Sequence, residues 1–166
     1  MNKKSTFTFI LFLYCLTPAS LLYGYNSPTG EITFQPTREM RERVPELDRL
    51  LRLRVDIAIT NDDFTIYESE NPQVLQCDIS AIGQLYQEEE LYSGIRIIKM
   101  MIYNDTPVIL DINRLASFEQ LEYIQLIYKY DACGNGEENC LKEHAERMVL
   151  PGDRNITGLY QLQITR

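Results

Sequence analysis

Leu115-Ala-Ser-Phe118-Glu-Gln-Leu121-Glu-Tyr-Ile124-Gln-Leu126-Ile-Tyr-Lys-Tyr130 changes its hydrophobic step partway along. Leu115, Phe118, Leu121 and Ile124 are spaced by three, and Leu126 follows after two. A step of three suits a one-sided coil or a short helix, and a step of two suits a strand. The pattern predicts a short turn, entry into a strand near Leu121, and extended chain to about Tyr130.

The strand part of this pattern recurs. Leu121, Ile124 and Leu126 occupy the first, fourth and sixth places of a hexad, as do Ile95, Ile98 and Met100, and Leu159, Leu162 and Ile164. Val74, Cys77 and Ile79 fit when Cys77 counts as a small hydrophobe. The units start 21, 26 and 38 residues apart. The first two spacings lie in the range of stacked repeats, where each unit hides one face against its neighbour. The expectation is an α/β fold with a small repeat-like sheet. Its parallel strands are placed near 74–79, 95–103, 121–130 and 159–164. An irregular α+β domain is the alternative. Residues 115–126 closely, and 74–164 loosely, resemble a degenerate leucine-rich repeat, L-xx-L-xx-L-xx-L-x-L. Three places beyond its last Leu, where that motif carries Asn, this chain has Lys129. The resemblance implies strands stacked in chain order.

Residues 1–24 read as a signal peptide. Lys3 and Lys4 precede the apolar run Phe7 to Leu16, and small residues follow. The run is shorter than the roughly 20 residues that span a bilayer. Phe12-Leu13-Tyr14 before Cys15 lacks the small residues of a lipidation signal. The expected location is secreted or periplasmic, with no stable membrane insertion after signal removal. Of 16 basic and 24 acidic residues, this segment holds two bases and no acid, so the remainder stands at −10. That sign disfavours nucleic acid, whose phosphates require Lys and Arg; it suits a protein partner of basic character, and it serves solubility without any partner.

Residues 25–36, with Pro28, Gly30 and Pro36, read as an extended arm, and 37–166 as a single globular domain. Thr37 can cap a helix. Pro45 is tolerated in a first helical turn, so a helix is expected near 45–54 with Leu47, Leu50 and Leu51 inward. Arg38, Arg41 and Arg43, in a basic segment on an acidic body, are a candidate anion or partner site. Residues near 55–68 read as a hairpin around Asn61-Asp62-Asp63. A helix is expected near 139–148, after the loop Asp131 to Cys140.

In a stacked sheet, the residues opposite the buried stripe are Ile97, Lys99 and Met101 in one strand and Tyr123, Gln125 and Ile127 in the next. Gln76, Asp78, Gln161 and Gln163 flank them. An apolar centre with polar edges marks an interaction face where it is open. It is structural where the N-terminal helix or hairpin covers it.

Cys133 and Cys140 enclose six residues with two Gly, slack enough for a disulfide in an exported chain. Cys77 is then an odd, buried thiol. Cys133, Cys140 and His144 lack a fourth metal ligand, and no metal or cofactor is expected. There is no G-x-S-x-G and no phosphate-cradling loop. Among the acids Asp78 and Asp111 could form a hydrolase pair, but nothing singles them out, so an enzyme is not the expectation. Three functions remain. The first is an exported acidic protein-binding module, such as an inhibitor or immunity partner of a secreted enzyme. The others are a small extracytoplasmic structural or envelope-assembly protein, and a carboxylate-dependent hydrolase.

Overall fold

The computed structural model describes residues 32–164 apart from 62, 68, 88, 106 and 135–137. The signal segment, Cys15 and the arm as far as residue 31 lie outside the described residues. The last residues of the arm, Phe34–Pro36, are strand β1. Helix α1 (Thr37–Arg43) and helix α2 (Pro45–Arg52) follow. Strands β2 (Ile57–Ile59) and β3 (Phe64–Ile66) form the expected hairpin. Then come β4 (Val74–Asp78), a 3₁₀ turn, α3 (Ile82–Leu85), β5 (Ile97–Ile102), β6 (Leu110–Asp111) and β7 (Tyr123–Tyr128). Helix α4 (Glu138–Met148), β8 (Val149–Leu150) and β9 (Thr157–Leu162) complete the order.

Seven strands form one sheet in the order β1-β9-β7-β5-β4-β2-β3, parallel throughout except for the β2–β3 hairpin. The expected α/β class with parallel strands is what the chain adopts. Ile57, Leu75, Ile98, Ile124 and Gly158 stand in one row across five strands, so successive coils take 18, 23, 26 and 34 residues. From β2 to β9, leaving the hairpin partner aside, the strands lie in chain order, as in a coil whose turns lengthen. β6 and β8 pair in a second, two-stranded parallel sheet in the connecting layer.

The opening stretch behaves as its spacing predicts. Phe118 N donates to Leu115 O and Leu121 N donates to Phe118 O, so the step of three is a pair of linked turns. Leu115, Phe118, Leu121, Ile124 and Leu126 all enter the main core. Tyr92, from the preceding coil, stacks on Phe118 with ring centroids 4.5 Å apart. The Arg154 guanidinium donates to the carbonyls of Leu115, Phe118 and Glu119 and ties the last coil to this turn.

Two hexads are in register: Ile98 pairs with Ile124 and Met100 with Leu126. The other two need correction. Val74 lies level with Ile97, on the opposite face from Leu75. Leu159 lies level with Gln125, and Gly158 takes the inward place. Both strands bury side chains on both faces, so the hydrophobic pattern does not distinguish the faces. Between β4 and β5 the chain forms two 3₁₀ turns and the four-residue α3.

The two faces of the sheet are covered differently. The coil connections and α4 pack on one face with Leu75, Cys77, Ile98, Met100, Ile124, Leu126 and Tyr128. On the other face α2 buries Leu47 and Leu50 against Val74, Ile97 and Leu159. Helix α2 follows the 3.6-residue rule with Leu47, Leu50 and Leu51 on one side and charge on the other.

Candidate functional site

The face under α1 and α2 carries the six residues singled out from the sequence, and the structure divides them. Ile97 is fully buried beneath α2, and Tyr123 packs beside it. These two belong to the helix contact. Met101 and Ile127, four places along the same strands, lie beyond the helix and keep 7 % exposure each. They form the apolar floor of a cleft of about 430 Å³. Lys99 and Gln125, level with each other between the two pairs, do both jobs: they line the cleft and hold the helices.

Polar contacts fix this arrangement. Lys99 Nζ donates to Leu51 O at 3.1 Å, in the last turn of α2, where free carbonyls and the helix dipole favour a cation. Gln125, 3 % exposed, donates through Nε2 to Thr37 Oγ1 and to Gln161 Oε1, each at 3.2 Å. Thr37 Oγ1 in turn donates to Tyr160 O at 2.9 Å, so it anchors α1 to β9 instead of capping the helix. Lys129 Nζ donates to Gln163 Oε1 at 2.7 Å across the cleft mouth. Lys129 is where a leucine-rich repeat would place its Asn; here the side chain serves the cleft.

The cleft lining contains Arg41, Lys99 and Lys129 and no carboxylate. Arg41 is already matched, at 2.7 Å from Asp48, which Arg52 also contacts. Lys99 and Lys129 make no ion pair with any described residue. Burial pushes the Lys99 amine below its usual range. Asp78, level with Met101 on β4, lies just outside the lining, and burial pushes its carboxyl up.

The Arg38, Arg41 and Arg43 group does not converge. Arg38 is almost fully exposed, 3.9 Å from Glu42, and Arg43 sits 3.6 Å from Glu39. Arg41 alone reaches the cleft. Arg38 and Arg41 also border a second cavity of about 420 Å³ beside Leu141 and Leu162. A stronger charge cluster, Arg96 held at 2.6 Å by Glu46 and 2.7 Å by Glu122, clamps α2 to the start of β5 and β7. Its partners are 50 and 26 residues away in sequence, and no local pattern announces them.

Cys133 and Cys140 are bonded, with their Cα atoms 6.0 Å apart. The bridge takes both sulfurs from His144, so these three residues cannot form a metal site together. His144 instead has Nδ1 3.1 Å from Tyr128 Oη and Nε2 3.3 Å from Asp105 Oδ1. Tyr128 is fully buried, while His144 is partly exposed and Asp105 lies at the surface. Sequence reasoning left this chain of contacts unseen, because its members come from two coils and stand 16 and 39 residues apart. Asp78 belongs to the main sheet and Asp111 to the small one, where Asp111 Oδ1 caps a 3₁₀ turn by accepting from Asn113 N. They are not a pair. No helix among the described residues is long and apolar enough to cross a membrane.

No protein family, no curated protein and no solved structure matches this chain.

Proposed function

We propose that this chain is an exported acidic module that binds another protein through the uncovered part of its sheet face. The observation that carries this reading is the cleft itself. Between α1, α2 and the ends of β5, β7 and β9, an apolar floor of Met101 and Ile127 lies beside Lys99, Lys129 and glutamine amides. Protein contacts combine an apolar centre with a polar rim in this way. The bonded Cys133–Cys140 pair accords with an oxidising compartment, secreted or periplasmic. The net charge, −8 for the whole chain and −10 without residues 1–24, would speed encounter with a basic partner, such as a secreted enzyme that this module inhibits or neutralises.

The test is capture from the source organism with the tagged chain. Wild type and Lys142→Glu, altered on α4 away from the cleft, are expected to retain the same protein at low salt. Ile127→Arg is expected to lose it while keeping its far-ultraviolet circular dichroism. Full retention by Ile127→Arg, or no specific protein retained by wild type, overturns the reading.

A further inference from the structure

Resting on that protein-binding reading, we propose that the cleft receives a carboxylate, an Asp or Glu side chain on an extended segment of the partner, and sets it between Lys99 and Lys129. The chain carries 24 acids against 16 bases, yet the lining of the cleft has three bases and no acid. Elsewhere Arg43, Arg49, Arg52, Arg96, Lys142 and Arg147 meet carboxylates, while Arg154 holds backbone carbonyls and Arg114 lies over the Tyr86 ring. Among the described residues Lys99 meets only a backbone carbonyl, and Lys129 only an amide oxygen. A cation removed from water without a counter-charge is costly, and a carboxylate arriving from outside relieves that cost. Burial is what lowers the Lys99 amine.

Two features favour a polypeptide over a free organic acid. The rim is made of glutamines, Gln76, Gln161 and Gln163. Each amide offers both a donor and an acceptor, as extended backbone requires. The floor of Met101 and Ile127 suits the methylene stem that carries a glutamate charge. The acidic residues Glu89, Glu90, Glu119 and Glu122 precede β5 and β7. The strands are parallel, so these acids sit at the far end from Lys129 and Gln163 and do not repel the ligand at the cleft.

The experiment is a nuclear magnetic resonance titration of the whole protein with a blocked Gly-Gly-Glu-Gly-Gly peptide, its Gln counterpart, and acetate. The Glu peptide is expected to give saturable shifts at the Lys99 and Lys129 side chains and the Ile127 methyls, and to raise the Lys99 amine titration. The Gln peptide and Lys129→Gln are each expected to weaken binding about tenfold, which corresponds to 1.4 kcal/mol. Lys99→Met is the second variant; Lys129→Gln keeps the test valid if Lys99→Met loosens α2. Equal binding of the Glu and Gln peptides, no saturable shift, or acetate binding as tightly as the peptide each overturns the proposal. If those results come with loss of partner capture by Ile127→Arg, the protein-binding reading survives and the carboxylate is wrong.

Discussion

Gly158 holds an edge strand in place by having no side chain. It pairs with Phe34 across β9 and β1, and a Cβ built there would lie 2.7 Å from the Phe34 ring. Gly158→Ala therefore displaces Phe34, which is 2 % exposed, and weakens the β1 pairing. The expected loss is about 1–3 kcal/mol, as for other overpacked sites, measured by urea unfolding. Cys77 is a second residue whose surroundings decide its chemistry. It is fully buried in β4, and burial pushes its thiol up to about 12. At pH 8 it stays protonated and sheltered, so iodoacetamide should leave Cys77 unmodified in the native protein and modify it in guanidinium; peptide mapping reads the result. Cys77 as a buried strand residue was legible from its hexad. Gly158 was not: a glycine in the inward row leaves no hydrophobic mark, and the hexad pattern falls on Leu159, which faces α2.

Helix α2 depends on charge as well as on Leu47 and Leu50. Arg49 and Arg96 hydrogen-bond the Glu46 carboxylate and bring it from its ordinary 4.5 to about 2. A carboxyl depressed in the folded state stabilises the fold above its unfolded value. That contribution fades as pH falls from about 4.5 through about 2. The Glu46 side-chain carbon should titrate with a midpoint near 2. Arg49→Gln and Arg96→Gln should each raise it, Arg49→Gln the more, because its hydrogen bond is the larger cause. A midpoint near the ordinary value in wild type would mean that the clamp is open in solution. At this scale the sequence was informative: α2, the β2–β3 hairpin, α4 and the strands at β5 and β7 follow from local periodicity and turn residues. The seven-residue α1 was marked only by Thr37 as a helix start, and Pro45, which begins α2, hides its extent. The pairing of β1 with β9 joins residues more than a hundred apart, and no periodicity reports it.

That long-range pairing changes what kind of molecule the coil is. In an open solenoid each unit touches only its neighbours, and terminal units can melt alone. Here the N-terminal segment crosses the sheet. β1 adds to β9, and α2 then covers Val74 of β4, Ile97 of β5 and Leu159 of β9 together. Losing either end exposes apolar surface at both. The coil should therefore unfold as one unit, although its strands lie in repeat order. Leu50→Ala tests this, because Leu50 is fully buried in the cross-sheet contact and touches none of the coil connections. It should cost about 2–5 kcal/mol, the range for a leucine removed from a packed core. The decisive measurement is the coincidence of two probes in urea. Backbone circular dichroism reports mainly the sheet and helices. Tyrosine emission, with 11 Tyr and no Trp, reports packing on both faces. In wild type and in Leu50→Ala the two transitions should superimpose and shift together, the mark of an all-or-none process. A Leu50→Ala protein whose circular dichroism transition stays at the wild-type midpoint while its tyrosine transition moves would show α2 peeling away from an intact coil. The cleft would then be a surface that the helices open and close, and Lys99 would lose its carbonyl partner at Leu51 without the sheet being disturbed.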